Sequence, residues 1–327
     1  MRAIVIHRFG GPEELQLAEV ATPEPGAGEV LIRVVLAGVN PADWKCREGR
    51  LQHYFNYQFP FIVGFDAAGV VERVGESVTE YAVGDTVLTS SNQGRGEWGS
   101  YAEYVKSSTA NVARLPKGID FAQGATIPTA GATAWGAVHD VGAVKAGQKV
   151  LINGGSSSVG IFAIQLAKAA GCEVAATCGP ANLDFVKSLG ADHVINYRSE
   201  AVLEATAAWA PEGVDLLVDA IGLSSLPADS TRVIRPGGAL VAIATLIQDI
   251  GGFDAALAKS RDVRLLSNMA AAARIPEHLR AVVDAVAQGR VTTPPYEILP
   301  LEQAGEAHRR VADGHVRGKL LLRVGAG

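Results

Sequence analysis

Cysteine is scarce: three in 327 residues, Cys46, Cys172 and Cys178, with no CxxC pair. That spacing excludes a disulfide framework, a zinc knuckle and a redox dithiol, and a reducing cytoplasm is the expected compartment. A basic surplus is lacking too. With 29 Lys and Arg against 34 Asp and Glu, a formal charge of −5 and no basic run, the chain has no footprint for a phosphate backbone, so no nucleic-acid partner is expected. Apolar runs are short: none reaches the ~18 residues of a membrane span, and the opening MRAIVIHRFGG lacks the features of a signal peptide. Neither a membrane partner nor export is expected. Low charge (19%) beside 48% hydrophobic residues and 37 glycines excludes extended disorder and points to a soluble α/β protein of about two domains.

The first third reads as strands and turns. Ala3–His7, Glu29–Val39, Gly69–Val74, Thr86–Thr89 and Tyr101–Val105 are β-rich runs, punctuated by PEPGAGE (23–29), VGD (83–85) and GRGEWGS (94–100), which predicts a compact all-β domain. After Gly118 the rhythm changes. The Ala-rich stretch 121–139 predicts a helix, and from Lys149 short apolar runs (149–153, 173–177, 193–196, 214–220, 239–243) alternate with helix-period segments (159–170, 182–189, 200–209, 225–233). Such alternation is the signature of βαβ units feeding a parallel sheet covered on both faces. The tail adds helices around 276–288 and 301–311 and a final strand, Lys319–Val324, expected to pair back with the first domain. The expected layout is therefore discontinuous: a β domain, 1–123 completed by 269–327, interrupted by a nucleotide-binding domain, 124–268.

VLINGGSSSVGIFAIQLAKAAG (150–171) places a glycine- and serine-rich turn between an apolar strand and an amphipathic helix. Free N–H groups and the macrodipole at such a helix start favour a pyrophosphate, and small residues let the backbone approach it. Gly155 and Gly160 remain of a GxGxxG pattern, with Ser157 or Ser158 at the middle glycine, where a hydroxyl would still donate to phosphate. Read alone, the same glycines serve a tight strand-to-helix turn. About 20 residues on, an NAD site presents an Asp or Glu to the ribose 2′-OH. Here VAATCGPAN (174–182) has no acid, which removes repulsion towards a 2′-phosphate and favours NADPH. Thr177, Asn182, Tyr197 and Arg198 are the candidate polar contacts.

Several segments together are similar to the medium-chain dehydrogenase/reductase superfamily, in particular its zinc-free quinone oxidoreductase-like branch, to which zeta-crystallin and the alkenal/one reductases belong. They are VNPADWK (39–45), GFDAAGVVERVGESV (64–78), VGDTV (83–87), GSYAEY (99–104), IPTAGATAWGAV (127–138), the glycine turn with IQLAKAAG (164–171), SLGADHVINY (188–197), VDAIG (218–222), RPGG (235–238) and GKLLL (318–322), in the family's order across nearly the full length. The resemblance implies a GroES-like β domain, a Rossmann domain with a doubly wound parallel sheet, an active site in the cleft between them, and a homodimer or homotetramer. It also implies that Asn40 lies beside the nicotinamide, that Thr133 touches the cofactor, that Gly155, Ser157, Ser158, Val159 and Gly160 wrap the pyrophosphate, and that Tyr197 borders the 2′-phosphate. Asn182 stands where some members have Lys. Lys319 would reach cofactor or substrate, or serve as a structural lysine.

In the metal-dependent relatives a Cys opens the segment matching 40–43 and a His-Glu pair matches Phe65 and Asp66. Asn40 and Phe65 do not serve as such ligands, and no cysteine lies between Cys46 and Cys172, so no metal is expected. Asp43 and Asp66 are expected to accept structural hydrogen bonds. Without a Lewis acid, ordinary alcohols are poor substrates, whereas quinones and conjugated enones delocalise the charge that hydride transfer creates. The expected activity is an NADPH-dependent reduction of a quinone or an α,β-unsaturated carbonyl. Two alternatives remain: an enoyl-thioester or polyketide-tailoring enoyl reductase, and an NADPH-binding sensor or structural protein with little catalysis. The proton donor falls in REGRLQHYFNYQFP (47–60), where Arg50 or Leu51 holds the position at which related enoyl-thioester reductases carry a tyrosine. Tyr54 is the better candidate, though both it and Tyr57 would also line an aromatic pocket with Phe55, Phe59 and Trp44. Protonation of the enolate by solvent, which needs no residue, is the alternative.

Overall fold

The structure, a computed structural model, describes residues 1–91, 93–94, 97–243, 254–314 and 316–325, without the side chain of residue 270. Arg95 and Gly96 of the turn expected at 94–100 lie outside the described residues. The chain divides into two compact units, Met1–Thr129 with Thr293–Gly327, and Ala130–Thr292. The segment 269–292, expected with the first domain, packs in the second unit. Its helix Ile275–Ala287 follows the turn Asn268–Arg274, and Thr292 is hydrogen-bonded through its N–H (2.8 Å) and hydroxyl (2.9 Å) to Gln165 Oε1.

The first unit is built on Glu29–Val39, an eleven-residue strand buried along nearly its whole length. Its Val, Ile and Leu side chains meet covered surface on both faces, which is why it reads as a continuous apolar run rather than an alternating one. It pairs antiparallel with Asp66–Val74 on one side. On the other side Tyr104–Ser108 takes its first half and Lys319–Arg323 its second, with Leu320 opposite Val39. The last strand thus returns to the first unit, and among the described residues the sheet runs Tyr296–Pro300, Lys319–Arg323, Glu29–Val39, Asp66–Val74, Thr86–Ser90, Val112–Arg114. A smaller sheet holds Gln16–Glu19, Arg2–Ile6 and Phe61–Ile62.

Two readings of this region change. The strand expected at Tyr101–Val105 begins at Tyr104, because 101–103 pair instead with the first strand: Ile4 N–H donates to Tyr101 O (2.8 Å) and Glu103 N–H to Arg2 O (3.0 Å). The all-β reading also missed a helix, Pro41–Arg47. Its start was written in the sequence as N-P-x-D: Asn40 is the N-cap, Pro41 fills the first turn where its missing N–H is harmless, and Asp43 Oδ2 accepts the Asn40 N–H (2.7 Å).

The second unit carries a parallel sheet in the order His193–Asn196, Glu173–Cys178, Lys149–Asn153, Val214–Asp219, Ile234–Ala242, Arg264–Ser267 among the described residues. This is the doubly wound arrangement, and the strand order reverses between the parallel neighbours Lys149–Asn153 and Val214–Asp219, whose carboxyl ends flank the place where such sheets bind ligands. The helix expected over 121–139 is interrupted. Phe121–Ala125 ends before Pro128, whose ring and missing N–H forbid continuation, and a new helix, Pro128–Trp135, passes into a π-helical turn, Gly136–Val141. The helix expected at 225–233 is instead two 3-10 turns, Leu223–Ser225 and Ser230–Val233, on either side of Pro227. Arg264–Ser267, a strand the apolar pattern did not reveal, has mostly exposed residues because it lies at the sheet's edge. No helix among the described residues is long and apolar enough to cross a membrane.

Leu151 lies at the centre of this sheet, fully buried between Ala175 and Leu217 of its neighbours. Leu151→Ala is expected to lower unfolding free energy by about 2–5 kcal/mol, read from the urea midpoint of the second unit's transition; an unshifted midpoint would contradict this packing.

Candidate active site

In the second unit the strand Lys149–Asn153 ends in the glycine turn. Gly154 adopts φ +89°, which a side chain rarely tolerates, and this was not among the residues singled out from the sequence. A Cβ on Gly160 would sit 2.2 Å from Gly154 O, so only glycine lets the helix Ser158–Ala169 start against the turn. Ser157 is that helix's N-cap. Its hydroxyl donates to Gly154 O (2.8 Å) and accepts from Gly160 N–H (3.0 Å). The Thr177 hydroxyl likewise donates to Asn153 Oδ1 (2.8 Å) and accepts from Gly154 N–H (2.9 Å). Both residues were expected to contact cofactor, but neither hydroxyl has a proton left to give a phosphate: they shape the turn. The N–H groups of Ser158 and Val159 have no acceptor among the described residues. With the helix dipole behind them they form an anion-accepting end. The residues fit a dinucleotide pyrophosphate.

Asn153 ties the turn to the switch point. Its Nδ2 donates to Asp219 Oδ1 (2.9 Å) and to Ser225 Oγ (2.9 Å), and the same Asp219 oxygen accepts the N–H groups of Ile221 (3.2 Å) and Gly222 (3.1 Å). Gly179 follows the strand Glu173–Cys178, in a stretch, 174–182, that holds no acid. Tyr197, 41% exposed, packs over it, its hydroxyl 3.4 Å from where a Gly179 Cβ would stand, and the Arg198 guanidinium lies 5.3 Å from the centre of the tyrosine ring. Asn182 is half-buried, with no side-chain cap bond. The hydroxyl of Thr133, half-buried on Pro128–Trp135, has no hydrogen-bond partner among the described residues.

In the first unit a buried polar cluster surrounds Asn40. Lys319 Nζ donates to Asn40 Oδ1 and to Asp66 Oδ2 (2.9 Å), while Asn40 Nδ2 donates to that same Asp66 oxygen (3.0 Å). Asp66 Oδ1 accepts the Thr129 N–H (2.9 Å) and hydroxyl. Asp43 gathers four donors: the N–H groups of Asn40 and Phe65 (3.1 Å), Gln93 Nε2 (3.2 Å) and the Tyr101 hydroxyl (3.1 Å). Burial, then the charge of Asp66, pushes the Asp43 carboxyl up to about 7, against the Asn40 N–H, Lys319 and Tyr101. The expectation that Asp43 and Asp66 accept structural bonds agrees with this geometry.

Behind Asp43 runs a chain that the sequence did not suggest. Tyr101 Oη meets His308 Nε2 at 3.1 Å, and His308 Nδ1 meets Arg47 Nη1 at 3.3 Å. Since Arg47 only donates, Nδ1 must accept and Nε2–H must donate to Tyr101, which fixes the neutral tautomer. Burial, with Arg47 beside it, pushes the imidazole down to about 3.

Tyr54 is 43% exposed. Tyr57 instead packs edge-on against Phe9 (5.2 Å) and Phe61 (4.9 Å), with Phe59 also on Phe9 (5.1 Å), and its buried hydroxyl lies beside the Cys46 thiol. Of the aromatic residues expected to line a pocket, Tyr57, Phe55 and Phe59 join a packed cluster with Phe9 and Phe61, whereas Tyr54 is exposed and Trp44 lies under Lys45 and Arg50. Burial pushes the thiol of Cys46 up to about 12 and that of Cys178 to about 11, so neither offers a nucleophile at neutral pH.

A doubly wound sheet whose glycine turn fits a pyrophosphate, joined in one chain to an antiparallel β unit, suits an oxidoreductase that uses a nicotinamide dinucleotide. Residues 26–117 match the alcohol dehydrogenase GroES-like domain, and 189–322 match a zinc-binding dehydrogenase domain. The quinone oxidoreductase of Homo sapiens is 31% identical over 326 residues, 98% of this chain and 97% of that protein. The chloroplastic NADPH-dependent alkenal/one oxidoreductase of Arabidopsis thaliana is 37% identical over 254 residues, 74% and 62% respectively. The solved quinone oxidoreductase from Coxiella burnetii superposes with a TM-score of 0.84 at 31% identity, covering 99% of each chain. The chain belongs to the medium-chain dehydrogenase/reductase superfamily, with quinone oxidoreductases and an alkenal/one oxidoreductase among its homologues.

The name of the second domain raises the question of zinc. Asn40 and Phe65 offer an amide and a phenyl ring, and the Asp66 carboxylate is already paired with an ammonium. Among the described residues no group of three or more His, Cys, Asp or Glu is placed to hold a metal. This donor set does not fit zinc.

The buried His308 carries a pH signature. Below its ordinary 6.5 the unfolded chain takes up a proton that the folded chain refuses until about 3, so the stability from this group is lost as pH falls through that window. Asp43, raised from 3.8 to about 7, acts with opposite sign, its contribution being lost as pH rises through about 7. The unfolding free energy of wild type minus that of His308→Gln isolates the histidine. This difference is expected to fall by up to about 1.4 kcal/mol per pH unit between pH 6.5 and 4, measured by urea unfolding; a pH-independent difference would show His308 to be protonated in the fold.

Proposed function

We propose that this protein is an NADPH-dependent reductase of quinones or α,β-unsaturated carbonyls that works without a metal. The observation that carries the proposal is the Asn40–Asp66–Lys319 cluster with Phe65 beside Asp66 in the chain, so that the positions corresponding to metal ligands hold an amide, a ring and an ion-paired carboxylate. No residue there gives a carbonyl or alcohol oxygen a Lewis acid, so the favoured acceptors are those whose own π system spreads the incoming charge.

When bound, NADPH supplies the hydride, and the proton that completes the reduction comes from Tyr54 or from water. Ser158 and Val159 donate their free N–H groups to the pyrophosphate, while Gly155 and Gly160 keep side chains out of its way and Ser157 and Thr177 hold the turn in shape. Thr133 offers its unpaired hydroxyl to the cofactor. At the adenosine end Tyr197, Asn182 and Arg198 receive the 2′-phosphate, with no carboxylate in 174–182 to repel it. Asn40 contacts the nicotinamide. Lys319 supports Asn40 rather than touching cofactor, because two of its three donors are engaged within the first unit.

Stopped-flow oxidation of NADPH and NADH against small quinones, enones and crotonyl thioesters tests this reading. Quinones or enones are expected to be reduced fastest, with NADPH preferred. Arg198→Ala is expected to raise KM for NADPH roughly tenfold, the scale of one exposed charge-assisted hydrogen bond, and to leave KM for NADH unchanged. Crotonyl thioester outpacing every quinone and enone would replace the proposal with an enoyl-thioester reductase, and NADPH binding without hydride transfer to any acceptor would make the chain a cofactor-binding protein. Tyr54→Phe is expected to slow the protonation step; an unchanged rate assigns the proton to solvent.

A further inference from the structure

We propose that Lys319 is a positioning residue for the reaction, a built-in cation that polarises the Asn40 amide and so strengthens the amide's remaining N–H as a donor to the reacting group. The inference rests on the functional reading above and deepens it.

The geometry is a closed triangle. Lys319 Nζ donates to Asn40 Oδ1, Asn40 Nδ2 donates to Asp66 Oδ2, and Lys319 Nζ donates to that same oxygen. Exposure is 2% for Asn40, 0% for Asp66 and 2% for Lys319. The amide's orientation follows from chemistry alone: an ammonium has nothing to accept with, so it must face the carbonyl, and a carboxylate has nothing to donate, so it must face the NH2. One N–H of Asn40 Nδ2 is then left without an acceptor among the described residues. An ammonium on Oδ1 draws charge through the conjugated amide away from nitrogen, and at low local dielectric this effect is less screened than in water.

The fold makes room for the lysine. Register places Leu320 opposite Val39, so Lys319 arrives level with Asn40. Its stem crosses Gly38, where a Cβ would lie 3.1 Å from Lys319 Cε, 2.9 Å from Asp66 Cβ and 2.6 Å from Ala125 O. Stability is a poor account of this arrangement, since a buried ion pair is often no better than apolar residues of the same volume.

Lys319→Met leaves Asp66 buried and unpaired and is liable to unfold, so the decisive variant is Lys319→Gln with Asp66→Asn, which removes both charges and keeps groups able to donate and accept. In single-turnover mixing with NADPH, the double variant is expected to transfer hydride ten- to a hundredfold more slowly, on the order of the loss of a partial oxyanion donor. The loss should be larger with an enone than with a quinone, because the enolate concentrates more charge on oxygen. Thermal midpoint and Kd for NADPH should change little. In protein labelled with 15N-asparagine, the Asn40 side-chain proton resonances, assigned by their loss in Asn40→Asp, should move upfield in the double variant. Wild-type rates in the double variant, or an equal loss with every acceptor, would overturn the inference while leaving the functional reading intact. Failure of the wild type to reduce any acceptor would overturn both.

Discussion

Asp66 is the point on which the first unit depends. Its two oxygens accept from Lys319 and Asn40 on one side and from the Thr129 backbone and hydroxyl on the other. These donors come from the chain's first helix cap, from the start of the helix leading into the second unit, and from the last strand. A fully buried carboxylate is tolerated only when its lone pairs are met by donors and its charge by a counterion, and here both conditions are satisfied by residues far apart in sequence. The return of the chain's end to the first unit is thus fixed chemically as well as by the ladder between Leu320 and Val39.

Asn153 plays a comparable part in the second unit. Standing at the end of the central strand, it receives the Thr177 hydroxyl and donates to Asp219 and Ser225. Three strand ends are thereby held in register around the glycine turn, which keeps the N–H groups of Ser158 and Val159 directed outward. In each unit one asparagine amide, pinned at both ends, organises the surface on which chemistry is proposed to occur. An amide suits the role because it both donates and accepts without adding charge.

Much of the fold was legible because its signals are local. The run KVLIN, the glycine turn and the helix after it declare a strand, a tight turn and an N-cap within a few residues, and N-P-x-D declares the helix Pro41–Arg47 as clearly, although that signal was passed over in a region otherwise rich in strands. The site was legible in part. Asn40, Gly155 and Gly160 stand out by type and position, but Ser157 and Thr177 carry hydroxyls that suit a phosphate or a turn equally, and only their hydrogen bonds distinguish the two. The Tyr101–His308–Arg47 chain had no signal at all, since its members are separated by 207 and 261 positions.

By itself the sequence determined the order of elements, the two kinds of sheet, the glycine turn and the lack of an acid beyond the second strand of the parallel sheet, since each depends on residues adjacent in the chain. Tertiary structure alone decided that a lysine on the final strand would be buried beside Asn40. A lysine in a strand ordinarily lies in water. Here the strand's register, the bare backbone at Gly38 and the waiting carboxylate of Asp66 combine to draw its ammonium inward, and those three conditions come from stretches of chain that meet only once the protein has folded.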